Sequence, residues 1–200
     1  KAGAKSTSVQ TYGNATNIGA FANYDSITPS TSIGYYANYA NSDNGSYFSI
    51  NIGTYAGAKP INYSFDHIIN IGAYAGYASD SNGDLNIGYY AGSYATGQPY
   101  PNIRIGSFAG ANSYDQHTTG YTVMIGNYAG YGMDDSDDSL LIGRYAGYNS
   151  YIDPGELLVV GCYGLTDIQG AKKMCIGGKY PGDKGGFAKN GNTVSTMITP

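Results

Sequence analysis

Tryptophan is absent from this chain, cysteine occurs twice, and only 12% of its residues are charged. Each scarcity excludes something. Cys162 and Cys175 are too few for a disulfide framework, and their spacing resembles no zinc motif. A net charge of −4 lacks the basic footprint that nucleic acid needs, so none is expected as a partner. The longest mostly apolar stretch, Leu157 to Leu165, is far too short to cross a membrane, and no membrane insertion is expected. No signal peptide is visible. A start at Lys1 predicts a processed protein or a piece of a longer one.

What is abundant is Gly, at 31 residues, and Tyr, at 23. That bias fits a disordered low-complexity chain. Against disorder, Ile and Leu recur at fixed places beside Gly. Ten anchors can be set in phase: Ile18, Ile33, Ile52, Ile71, Ile87, Ile105, Ile125, Ile142, Val160 and Ile176. Their separations run from 15 to 20 residues, with a mean between 17 and 18. Gly follows every anchor. An aromatic stands three residues after nine of them: Phe21, Tyr36, Tyr55, Tyr74, Tyr90, Phe108, Tyr128, Tyr145 and Tyr163. Ala follows the first eight aromatics, then Asn or Gly. Two before the anchor stands Thr, Ile, Leu, Val or Met.

The unit is therefore apolar-x-Ile-Gly-x-Tyr-Ala-Gly plus a variable stretch. Two apolar positions one residue apart share a face of a strand. The aromatic has the wrong parity to continue that face, so the chain must turn between them. Gly after the anchor suits such a corner. Ala followed by Gly or Asn marks a second tight place. A helix would have to tolerate two glycines per unit, at about 1 kcal/mol each.

A unit this short cannot bury its own apolar face and must stack on its neighbours. The fold expected is all-β: a parallel β-solenoid, or β-roll, of about ten rungs over residues 16–178. Ile lies over Ile and Tyr over Tyr, and ten rungs at about 4.8 Å make a body of roughly 45 Å. Insertions fall in loops such as NSDNG and IDPGE, which hold the expected turn residues. Residues 1–15 read as a connector or degenerate first rung, and 179–200 as a cap, connector or tail.

NIGAYAGYAS, NIGYYAGSY, MIGNYAGYG and LIGRYAGYNS resemble the Ile-Gly repeats of phage and bacterial tail-fibre-like proteins, which often precede an endosialidase-type chaperone domain. They are similar, more loosely, to head-domain repeats of trimeric autotransporter adhesins. The resemblance implies an extracellular homotrimer, on a virion or a bacterial surface, that attaches to a cell-surface glycan or protein. No chaperone domain is visible in these residues. Physics points to an oligomer separately, because a thin roll has much surface for little core.

Tyr24, Tyr39, Tyr77, Tyr131 and Tyr148 fall six residues after an anchor and are the candidate ligand-binding set. A tyrosine combines a flat apolar face with a hydroxyl at low entropy cost, which suits sugar or protein recognition. Simple ladder packing accounts for the same residues. No catalytic residue, metal site or cofactor is expected. The acidic loop of Asp134, Asp135, Asp137 and Asp138 lacks the spacing of a calcium loop. Asp138, Glu156 and Lys172 share one phase on successive rungs and read as a charge ladder, although stacked carboxylates would also approach a glycosidase pair. His67 and His117 stand alone, and no GxSxG motif occurs. The functional expectation is a structural and receptor-binding fibre segment. The alternatives are a polysaccharide depolymerase on a trimeric β-helix and a purely structural surface filament.

Overall fold

A computed structural model describes residues 15–24, 30–40, 48–59, 67–79, 82–96, 101–113, 121–134, 139–150, 157–162 and 173–176. Ten short strands occur: β1 (Thr16–Ile18), β2 (Ser30–Ile33), β3 (Ser49–Ile52), β4 (Ile69–Ile71), β5 (Leu85–Ile87), β6 (Ile103–Ile105), β7 (Val123–Ile125), β8 (Leu140–Ile142), β9 (Leu157–Val160) and β10 (Lys173–Ile176). They form one parallel sheet in chain order. The register pairs anchor with anchor, from Ile18 on Ile33 to Val160 on Ile176. The chain is thus a parallel β-solenoid, one strand to a rung, and no described residue is helical. The expected connector and C-terminal segment lie outside the described residues, Ala15 apart.

After each strand from β1 to β8 the backbone reverses its handedness at every second residue. Gly after the anchor has φ of 125–137°, the aromatic 54–60°, and the next Gly or Asn but one 53–65°. In the rung of β5 each of three consecutive turns closes a hydrogen bond: Ala91 N–H to Gly88 O, Ser93 to Tyr90, and Ala95 to Gly92. A positive φ at the second central residue is what a type II turn requires. The spare amides of this turn ribbon serve the rungs on either side. Tyr90 and Tyr94 donate to Ala73 O and Tyr77 O of the preceding rung, and Gly92 donates to Ala109 O of the following one. Close stacking explains the corner Gly. A Cβ on Gly88 would lie 2.4 Å from the carbonyl oxygen of Gly106.

The interior holds residues that the repeat pattern did not single out. The strand face turned inward carries the residue between the two apolar positions: Ser32, Asn51, Asn70, Asn86, Arg104, Met124, Leu141 and Val159, all buried. Opposite them lie the alanines of the turn ribbon, such as Ala56, Ala75 and Ala91, with no exposed surface. The Ile anchors from Ile18 to Ile142 stack as expected but point outward. Ile18 is 57% exposed, and Ile71 and Ile142 are 36% and 37% exposed. The strand-to-ribbon gap is narrow, so that a Cβ on Gly57 would collide with the side chain of Asn51. The aliphatic pair takes the other face of the strand.

The interior is polar at one end and apolar at the other. Asn86 Nδ2 donates to Asn70 Oδ1 at 2.9 Å, and Asn70 Nδ2 to Asn51 Oδ1 at 2.8 Å. Each amide supplies one donor and one acceptor, so stacking satisfies both. Arg104 ends this run, pairing with Asp84 and donating to Asn86 Oδ1. Its Nε and Nη2 have no partner among the described residues. Beyond it Met124, Met133, Leu141 and Val159 pack with Ala129 and Ala146.

Candidate binding surface

The turn ribbon projects two columns of rings. The inner column is the aromatic three after each anchor. From Phe21 to Tyr145 its eight rings stack at centroid distances of 4.6–5.3 Å and interplanar angles of 4–12°. Tyr163 lies outside the described residues.

The outer column holds the five candidate tyrosines. Tyr24 stacks on Tyr39 at 5.6 Å and 16°, and Tyr131 on Tyr148 at 5.4 Å and 10°. Tyr77 sits in the same column between them, edge-on to Tyr94 at 5.6 Å. The two columns meet edge to face, as with Tyr36 and Tyr39 at 4.7 Å and 86°. The structure therefore brings all five together on one side, half-buried.

This herringbone changes what the surface can do. Ring faces within each run are covered by neighbouring rings, so solvent meets edges and hydroxyls. Flat faces, the feature expected to take a sugar, are available only where a column is broken. The packing also acts on the phenols. Loss of solvation, reinforced by neighbouring hydroxyls, raises Tyr36, Tyr55 and Tyr90 above the ordinary tyrosine value.

Sequence reasoning missed Tyr35 and Tyr89. They stand two after the anchor, 47% and 49% exposed, and lie edge-on to Tyr36 at 4.4 Å and Tyr90 at 4.6 Å. The doubled Tyr in IGYYA, present in both rungs, was the available signal. Arg144, at the same position three rungs beyond Tyr89, lies 5.9 Å from the ring centroid of Tyr145.

Of the other sequence candidates, those within the described residues form no common site. His67 stacks on the exposed Phe48 at 5.6 Å. Cys162 is free and exposed. Asp134 is half-buried, while Asp135, Asp137, Asp138, Glu156, Lys172 and His117 lie outside the described residues. Among the described residues no cluster of His, Cys, Asp and Glu could hold a metal.

Fold and surface together define a tyrosine-laddered parallel β-solenoid with an amide-lined core. No family model matches the chain, and neither do the curated proteins or the solved structures with which it was compared.

Proposed function

We propose that this chain is the structural and receptor-binding segment of an extracellular homotrimeric fibre, on a virion tail or a bacterial surface. One observation carries the reading: the outward strand face carries an aliphatic anchor on every rung from β1 to β9, joined by a second aliphatic column from β3 onward. Ile50, Ile71, Ile103, Leu140 and Ile142 are each more than a third exposed on it. Nine rungs at about 4.8 Å make this strip about 40 Å long, and two columns with their side chains make it about 15 Å wide, roughly 600 Å² in all. Soluble monomers rarely leave so large a contiguous apolar patch uncovered. A stable interface takes roughly 800 Å² from each partner, near the size of this strip with its flanks. Copies of the same chain supply the same aliphatic columns at the same spacing, so parallel association matches rung to rung. The number three comes from the resemblance of the repeats to trimeric fibres.

Covering the strand face leaves the tyrosine side outward, where it can meet a cell-surface glycan or protein. The stretch between the turn ribbon and the next strand varies in length while the strand register holds, which suits a shaft that carries recognition loops. The reading includes neither a catalytic step nor a cofactor. Binding of the intact assembly to a glycan array and to whole cells tests it. Selective binding to a subset of glycans or cells is expected. No binding across a broad panel would reduce the segment to a spacer.

A further inference from the structure

The outward strand face is one column wider than its aliphatic pair. Burial alternates through the residues that lead into each anchor. Phe48, Ile50 and Ile52 turn outward while Ser49 and Asn51 are buried, and the same alternation holds over 67–71, 101–105 and 121–125. The residue four before the anchor therefore shares a face with the two aliphatic positions. On the rungs of β3 to β7 it is Phe48, His67, Gly83, Pro101 and Tyr121. Phe48 and His67 stack at 5.6 Å and 24°, and both hold positive φ, at 60° and 62°. A Cβ on Gly83 would lie 2.9 Å from Pro101 Cγ, so the proline ring covers the glycine. Phe48 and Tyr121, 68% and 60% exposed, stand furthest into solvent.

This column supplies area that the aliphatic strip lacks. The strip's roughly 600 Å² falls short of the roughly 800 Å² that a stable interface takes from each partner. Five rungs of the third column, about 24 Å by 7 Å, add roughly 170 Å² and close most of the difference. The column also brings an ionisable group to the face. Among the described residues, His67 is the only side chain there that can become a cation. The outward positions around it are Phe48, Ile50, Ile69, Gly83 and Leu85, and none can balance a charge. Asp84, in the next rung, is turned inward and paired with Arg104. Asp66 lies outside the described residues.

We propose that further copies of this chain cover the ring column together with the aliphatic strip, and that protonation of His67 makes the assembly come apart in acid. A neutral imidazole stacked on Phe48 can be covered by aliphatic side chains at little cost. An imidazolium in the same place loses its hydration and gains no countercharge. The separated chain then takes up a proton that the assembled chain refuses, so falling pH favours separation. Histidine is the side chain whose charge ordinarily changes between pH 5 and 8. The inference rests on the self-association half of the proposed function and adds its regulation.

Sedimentation equilibrium of the intact chain at pH 7.5 and pH 5.5 tests it. The concentration at half-association is expected to rise at least about tenfold at the lower pH, with the β-sheet spectrum retained. His67→Phe installs the residue that holds the same place and the same φ one rung earlier, and should give an assembly indifferent to pH over this range. His67→Lys fixes the charge and should separate the chains already at pH 7.5. His117→Gln should leave the acid response in place. An unaltered protein equally associated at both pH values, or an acid response that survives His67→Phe, overturns the role of His67 and leaves the fibre reading standing. A single-chain mass for the unaltered protein at pH 7.5 sinks the fibre reading and this inference together.

Discussion

Tyr74 holds a backbone conformation that tyrosine avoids, with φ at 58°. Such a residue costs of order 1–3 kcal/mol. It stacks on Tyr55 at 5.1 Å and Tyr90 at 4.6 Å, and each aromatic pair contributes about 0.5–1.5 kcal/mol. The two terms are similar, so the ladder roughly offsets the strain its own residues create. Tyr74→Ala keeps the strain and loses both contacts, whereas Tyr74→Gly loses the contacts and relieves the strain. We expect both to lower the denaturation midpoint, with Ala worse than Gly by about 1 kcal/mol. The reverse order would show that backbone strain plays no part. The repeat pattern announced a tight place around Gly and Asn. It did not announce that the aromatic itself would take positive φ, because propensity argues against it and only the stacked neighbours make it tolerable.

Among the elements, the strands and both tight places were legible from the Ile-Gly-x-Tyr-Ala-Gly spacing. The inside and outside of the strand were not. Hydropathy assigns Ile to a core, and the residue between the aliphatic pair varies from Ser to Arg, which looks like an unconstrained site. The usable signal was size complementarity across the roll. Ser32 pairs with Asn38 in its rung, while the larger Asn51, Asn70 and Asn86 pair with glycines. A Cβ on Gly57 would lie 2.0 Å from Asn51 Oδ1, so a larger residue at one position forces a smaller one at the other. The rung of β6 carries the most costly case. Arg104 is fully buried beside Asp84. Asp84→Asn keeps an acceptor for the Asn102 amide, which now donates to Asp84 Oδ1 at 2.8 Å, but removes the countercharge. Chemical denaturation should show a loss of about 3–5 kcal/mol. Adding Arg104→Met, the residue type at this position one rung on, should recover most of it. Additive losses in the double variant would refute the pairing.

The inner tyrosine column gives the same element a pH limit. A phenol ionises by losing its proton, and Tyr36, Tyr55 and Tyr90 hold theirs more tightly when folded. Above the unfolded value near 10 the unfolded chain releases protons that the folded chain retains, so it gains relative to the folded state. The ladder's contribution is therefore whole below about pH 10 and declines as pH rises toward the folded values. Thermal melts between pH 8 and 12 should fall steeply in the upper half of that range. The share of the tyrosinate absorbance that belongs to these three phenols should rise only together with unfolding. Full ionisation of every tyrosine, these three included, before any loss of β signal would contradict the account.

For the whole molecule, the sequence carried the solenoid and the expectation of self-association, but not which residues line the interior of the roll. An amide-and-alanine interior under an aliphatic exterior reverses the usual arrangement of a soluble monomer, and assembly resolves it. Ile71 and Ile103 lie in the two outward columns, 36% and 39% exposed, so lysine at either place is compatible with the isolated roll but not with a covered face. Sedimentation equilibrium at micromolar concentration is the most direct test. The unaltered protein should run at the mass of three chains, and the Ile71→Lys, Ile103→Lys double variant at the mass of one, with its β-sheet spectrum retained. A stable single-chain mass for the unaltered protein would contradict the account.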